Sequence, residues 1–240
     1  MNRLPTICRN RLLETLDPDD LALLEPRFER VDLRAGAALF EPGQDVNHIY
    51  FLERPAVVAM VVDLSEGDSA EATMIGWEGA VGGVVSAGSK PAFARMVVQS
   101  SGPAVRLPIE TLEQVKQESS SCRDHFSRYA DCLLAQVMQT VACNTTHELD
   151  ARLARWLLAL NDRVGVPEMK LTQESAAQML GVRRTYVTKV LGQLERLGAI
   201  HRQRGKVIVR SRQRLSDHAC ECYGELRRHF DQILPGVYSP

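Results

Sequence analysis

Arg183, Arg184, Thr185, Thr188 and Lys189 crowd into one short stretch, GVRRTYVTKV, and are the residues whose types could do selective chemistry. A guanidinium holds guanine O6 and N7 through two parallel hydrogen bonds, threonine offers a hydroxyl and a methyl, and lysine reaches guanine or a phosphate. Gathered on one outward helix face, they would read base edges in the major groove of double-stranded DNA. The competing reading is an ordinary helix pair with a charged, solvated face.

The pattern around these side chains is what would turn them outward. Val187, Val190, Leu191 and Leu194 recur at helical spacing and give a buried side to a helix over about residues 183–197. Upstream, Thr172 can cap a short helix, Gln173–Leu180; Ala177 is small where two crossing helices approach, and Gly181 with Val182 makes the tight turn between them. Helix, short turn and helix is the helix-turn-helix pattern. Thr172 and Gln173, at its start, join the candidate DNA contacts. Downstream, AIHRQRGKVIV reads as strand, turn at Gly205 and strand, a wing beside the second helix. Arg202, Arg204 and Lys206 on this wing are candidates for the sugar-phosphate backbone, fixing register without reading bases. No acidic residue occurs from Arg196 to Ser216.

The net charge of −1 conceals a segregation. Residues 151–215 hold fourteen Lys+Arg against four Asp+Glu, net +10, which leaves the rest of the chain at −11. A compact basic segment on an otherwise acidic protein is the footprint expected where a polyanion is held.

The residues upstream divide by pattern. Asp17 and Pro18 begin a short helix to about residue 27. From Phe28 to Leu107, short β-type runs (49–52, 57–62 and 94–99) alternate with glycines, among them Gly67, Gly76, Gly79 and Gly88, which predicts an antiparallel roll or barrel. After Pro108 the period becomes helical. Phe126, Ala130, Leu133, Val137, Thr140 and Asn144 fall on one stripe of a long helix, and the first five are the expected dimerisation contacts of a homodimer. Tyr129, Cys132, Gln136 and Gln139 give that helix a second, semi-polar face. Thr145 followed by Glu148 reads as a capping box that starts the next helix, with a hinge at Thr145. Leu149, Leu153, Trp156, Leu157 and Leu160 are that helix's buried side, and Gly165 and Pro167 end it. The domains expected are therefore 1–108, 109–144 and 145–240, and the fold class is α+β.

The six cysteines are scattered and lack the paired spacing of a zinc or iron–sulfur site, so neither metal nor cofactor is expected. Leu215, Ala219, Cys222, Leu226, Phe230 and Ile233 form an apolar stripe that predicts one C-terminal helix. On it, His218, Cys222 and His229 could begin a metal site, but the stripe makes Cys222 core packing; Cys220 and Cys222, two apart on a helix, would diverge. Trp77 reads as packing of the roll. The isolated histidines form no catalytic arrangement, and no enzyme is predicted. Arg3, Arg9, Arg11 and Glu14 interrupt the start of the chain, which predicts no signal peptide, no membrane partner and a cytoplasmic location.

LTQESAAQMLGVRRTYVTKVLGQLERLGAI followed by HRQRGKVIV resembles the winged helix-turn-helix of the Crp–Fnr family, and ACNTTHELDARLARWLLAL with ACECY resembles a proteobacterial subgroup lacking the nucleotide signature. The resemblance implies an N-terminal antiparallel β-roll of the cyclic-nucleotide-binding kind, a long dimerisation helix and a C-terminal winged helix-turn-helix. It also implies a homodimer that activates or represses at a palindromic operator, with RNA polymerase as a candidate further partner. The family's base-reading arginine falls on Arg184 and its second basic reader on Lys189, while its base-contacting glutamate falls on Thr185, so the family's best-known half-site is not expected. The positions that grip ribose and cyclic phosphate in cyclic-AMP binders are Gly83, Phe93 and Ala94, and a phenylalanine supplies no cation for a buried phosphodiester. A regulator whose roll senses an unidentified signal or none is the expectation. The alternatives are a receptor holding a cyclic nucleotide in a non-standard pose, and a module whose hairpin binds protein.

Overall fold

The computed structural model describes residues 8–64, 69–83 and 91–238. Gly67 and Gly88 lie outside the described residues.

The chain opens with α1 (Arg11–Glu14), which sequence reading missed, and α2 (Pro18–Leu24), whose cap is Asp17, followed by a 3-10 turn. Asn10 explains the first: its side chain accepts from the Leu13 amide, while its own Nδ2 donates to the Leu52 and Gly79 carbonyls, both at 2.8 Å. A fully buried amide thus stitches the start of the described chain to the roll.

The roll comprises β1 (Glu29–Leu33), β2 (Ala38–Phe40), β3 (His48–Leu52), β4 (Val57–Asp63), β5 (Ser69–Ile75), β6 (Ala80–Val81), β7 (Arg95–Ser100) and β8 (Gly102–Pro108). They pair antiparallel in two sheets, β1-β8-β3-β6 and β2-β7-β4-β5. Strand alternation decides what each side chain meets. In β3, Tyr50 and Leu52 join Phe40, Val58, Ile75 and Val98 in the roll's own core, whereas Ile49 and Phe51 point the other way into the helices.

Helices α3 (Ile109–Glu118) and α4 (Ser120–Thr146) follow. Two expectations for α4, the place of Phe126 and the capping box at Thr145, are corrected. The face that packs against the chain's own core is the semi-polar one: Tyr129, Cys132 and Gln136 are buried, the Tyr129 hydroxyl bridges both backbone groups of Ala80, and the Thr73 hydroxyl donates to Gln136 Oε1 at 2.5 Å. Gly79 is required there, because any Cβ would strike the Tyr129 ring. Phe126, expected in a dimer contact, is only 1% exposed and packs edge-on against Phe51, so it belongs to the internal core. Ala130, Leu133, Val137 and Thr140 are half-buried, and the apolar side chains that stand outward are Leu134, Met138 and Val141. The Thr145 capping box does not form. Its hydroxyl turns back to the Val141 and Ala142 carbonyls, the helix continues to Thr146, and α5 (Leu149–Val164) begins after His147 and Glu148.

The C-terminal part holds β9 (Glu168–Lys170), α6 (Gln173–Leu180), α7 (Arg184–Arg196), β10 (Ile200–Gln203), β11 (Lys206–Val209), α8 (Arg212–His218) and α9 (Cys222–Ile233). The single C-terminal helix expected from its apolar stripe is two helices, because Ala219 takes extended dihedrals (φ −79, ψ 151). No helix among the described residues is long and apolar enough to cross a membrane.

Candidate nucleic-acid interface

Thr172 accepts from the Ser175 amide at 3.0 Å, and Ser175 returns a bond from the Thr172 amide, a reciprocal cap that fixes where α6 starts. At the other end Gly181 sits in the left-handed region (φ +62), and its amide closes α6 on Ala177 and Gln178. The chain then turns through Val182 into α7. Val187, Val190, Leu191 and Leu194 are buried against α5 and the wing, so the opposite face must be outward.

On that face Arg183, Arg184, Thr185 and Lys189 are exposed. Among the described residues Arg184 has one loose acidic neighbour, Glu174 at 3.9 Å, with both side chains well over half exposed; such a pair holds nothing firmly. Thr188 is half-buried, and its hydroxyl lies 2.7 Å from Gln173 Oε1 and 2.9 Å from the Arg184 carbonyl. Thr188 and Gln173 therefore brace the two helices together. Tyr186, 56% exposed beside the arginines, was missed by sequence reading. The signal was available, since it falls outside the inward stripe that locates its neighbours.

The wing is a three-stranded sheet, β10-β11-β9, its third strand also unforeseen. Gly205 at the tip has a φ of +73, and Arg204 beside it is exposed. The other two wing cations have acidic partners from outside the acid-free stretch. Arg202 donates from its backbone and its Nε to Glu195 at 2.8 and 2.7 Å, which holds that carboxyl below the usual carboxylate range; Lys206 meets Glu168 at 2.5 Å.

Behind this surface a buried polar seam joins the unit to the roll. Arg163 of α5 donates to Glu78 at 2.8 Å and to the Tyr238 hydroxyl at 2.8 Å, with both members of the ion pair almost fully buried. Trp156 donates to Glu71 at 3.0 Å, and burial pushes the Glu71 carboxyl up to about 7. Trp77 donates to the Asp162 carbonyl, and Arg54 lies 3.9 Å over the Trp77 ring, so Trp77 packs the roll against α5. Gln178 donates to Ser69 of β5 at 3.0 Å, and an open cleft of about 820 Å³ separates that strand from the α6–α7 turn. Arg183 and Arg184 line this cleft, and they, Thr185 and Lys189 stay exposed among the described residues.

Residues 151–218 match the family model of the Crp-like helix-turn-helix domain. The chain is similar to a global nitrogen regulator of Nostoc sp., 27% identical over 181 residues that span 71% of this chain and 80% of that protein. In fold it is similar to FixK2 of Bradyrhizobium japonicum (TM-score 0.68, 16% identity, 80% of this chain and 98% of that one). A Crp/Fnr-family regulator of Eubacterium rectale is similar too (TM-score 0.65, 16% identity, 86% of this chain and 96% of that one).

Proposed function

This chain belongs to the Crp–Fnr family of DNA-binding transcription regulators, and from that premise we propose that it acts as a homodimer on a palindromic duplex site, with α7 of each protomer in the major groove. The observation that carries the proposal is the exposed set Arg183, Arg184, Thr185 and Lys189 at the start of a braced helix. Those side chains read bases, helped by the free amides of the α7 N-terminus toward phosphate. Arg204, with Arg202 and Lys206 once their acids release them, meets the backbone beside them; Thr172, Gln173 and Thr188 hold the hairpin in shape at the groove's edge.

The dimer forms along α4. Leu134, Met138 and Val141 stand 53%, 59% and 61% exposed at i, i+4 and i+7, a stripe that a second copy can cover by two-fold symmetry. Ala130, Leu133, Val137 and Thr140 flank it. The domains act as a signal-receiving roll through residue 108, a dimerising segment through 144 and a DNA-binding unit beyond. A cyclic nucleotide in the family's usual mode has little support: Phe93 is 85% exposed and Ala94 is buried, and neither supplies charge for a phosphate.

Footprinting on fragments selected from genomic DNA tests the proposal. The expected result is two protected half-sites about one helical turn apart, roughly 34 Å, with affinity falling steeply as salt rises. A Met138→Glu variant should sediment as a monomer and lose the paired footprint. A single asymmetric footprint, or salt-independent binding, would overturn it.

A further inference from the structure

We propose that Cys143, His147, Cys220 and Cys222 form a tetrahedral site for one thiophilic divalent cation of the zinc class, at the joint between α4 and the DNA-binding unit. The site is independent of the DNA reading, and only its effect on DNA rests on that reading.

The four residues come from two places far apart in sequence. Cys143 lies in the last turn of α4 and His147 caps its end, four residues on and so on the same side of the helix. Cys220 and Cys222 flank the break between α8 and α9, which turns both thiols to one side where a continuous helix would have separated them. Their ligand atoms all lie within 4.8 Å of one another, with the three cysteines buried. Bond lengths of about 2.3 Å to sulfur and about 2.0 Å to nitrogen give a tetrahedron with edges of about 3.8 Å between sulfurs and about 3.5 Å from sulfur to nitrogen. Cys143 and Cys220 are 3.5 Å apart at sulfur, and Cys222 Sγ is 3.6 Å from His147 Nδ1. These separations suit one ion, where the body of an iron–sulfur cluster would hold the sulfurs further apart.

The surroundings are arranged as a metal site needs. Glu221 lies 3.2 Å from His147 Nε2, so the ring carries its proton on that nitrogen and presents the Nδ1 lone pair to the sulfurs. The Thr146 hydroxyl, 3.3 Å from Nδ1, gives its proton to the Ala142 carbonyl at 2.7 Å and leaves that lone pair free. Gln139 Nε2 donates to Cys222 Sγ at 3.0 Å, a bond that a thiolate accepts better than a thiol. Three thiolates and a neutral imidazole around a dication leave one net negative charge. Arg152, close enough to feel charge on Cys143 and Cys220, has a buried Nε without a partner among the described residues. Its Nη2 donates to the Leu180 carbonyl at the end of α6, so one side chain connects the site with the reader hairpin. On loading, the three thiol protons pass to solvent, no electron moves, and the ion clasps the end of α4 to the α8–α9 link.

The test uses the full chain, purified under reducing conditions and stripped with chelator, then titrated with Co(II) alone and back-titrated with Zn(II). The expected result is a tetrahedral Co(II) spectrum with sulfur-to-cobalt charge transfer of three-thiolate intensity, saturating at about one ion per chain and displaced by Zn(II). Cys143→Ser with Cys220→Ser should abolish it. Glu221→Gln, on an exposed side chain that does not hold the fold, should weaken binding about ten-fold. Absence of the Co(II) spectrum in the parent chain, its survival in the double variant, an iron–sulfur absorption in the isolated protein, or a Cys143–Cys220 disulfide under reducing conditions would each overturn the proposal. No DNA enters these readouts, so an intact Co(II) spectrum in a chain that fails to bind DNA would count against the regulator reading alone.

Discussion

Two arginine–glutamate pairs in this molecule show how burial decides what a charge is for. Arg163 and Glu78 keep 3% and 1% of their side-chain surface, and each has a fixed partner in the seam between α5 and the roll. Arg184 and Glu174 keep 65% and 76%, 3.9 Å apart, on the reader face. The first pair has given up water and is held by its bonds, so removing one member strands the other in a low-dielectric interior. The second has given up almost nothing. The role proposed for Arg184, exchange of a solvent shell for a base edge, needs an arginine that is weakly engaged; fixing the angle between two units needs one locked to its partners, like Arg163.

The largest effect should come from breaking the buried pair. Arg163→Ala leaves Glu78 buried with the Gly76 amide, 3.2 Å from its Oε1, in place of a counter-charge and should cost about 3–5 kcal/mol, lowering the thermal midpoint by roughly 10 °C in calorimetry. Arg184→Ala should leave the midpoint within about 1–2 °C, since surface changes of this kind stay within about 0.5 kcal/mol. Equal midpoints for the two variants would erase the contrast.

Glu71 sharpens it from the side of pH. Its carboxyl is buried against Trp156, its Oε2 has no partner among the described residues, and its pKa is pushed up to about 7 from an ordinary 4.5. Between those values the native chain binds more protons than the unfolded one, so this group's contribution falls as pH rises and levels off above about 7. The loss is roughly 3 kcal/mol across that window. Denaturant midpoints measured from pH 4.5 to 7.5 should therefore decline more steeply for the parent chain than for Glu71→Gln. Parallel curves would remove Glu71 as the cause.

On DNA the order reverses. Arg184→Ala should lower specific affinity by about 1–3 kcal/mol and level the preference at one base position, while non-specific binding at low salt changes little. Competition anisotropy against single-base variants of the site measures both.

How much of this could be read from the chain follows the same division between local and distant. The outward face of α7 was legible because Val187, Val190, Leu191 and Leu194 repeat at helical spacing, and whatever is left on such a helix must face out. The roll was legible from alternation and glycine, as in β3, where two cores take alternate residues. What failed depended on the backbone path and on partners that spacing alone does not name. Thr145 and Glu148 satisfy the spacing of a cap, yet the threonine hydroxyl has a carbonyl of its own helix within reach. The apolar stripe of the last segment continues through Ala219, where the backbone does not. Spacing arguments kept Cys220 from Cys222 and said nothing of Cys143, because only the packed chain brings α4 to the α8–α9 break. The acid-free wing looked like bare positive charge for the same reason: Glu195, which tempers it, stands one residue before the window, and Glu168 comes to it from β9, well upstream.

That tempering gives the smallest and most discriminating expectation. Glu195 accepts from the Arg202 amide and from its guanidinium, and Lys206 is held by Glu168, so among the described residues Arg204 alone of the three wing cations stands clear of an acid. Glu195→Gln keeps an acceptor for the Arg202 amide, which preserves the corner between α7 and β10, but removes the charge that holds the guanidinium. Arg202 then meets phosphate without first leaving a carboxylate. The plot of log affinity against log salt should steepen by about 0.9, the value for one more phosphate contact, with base preference unchanged. If the slope stays where it was, Arg202 braces the corner and the backbone is gripped by Arg204 and the reader helix alone.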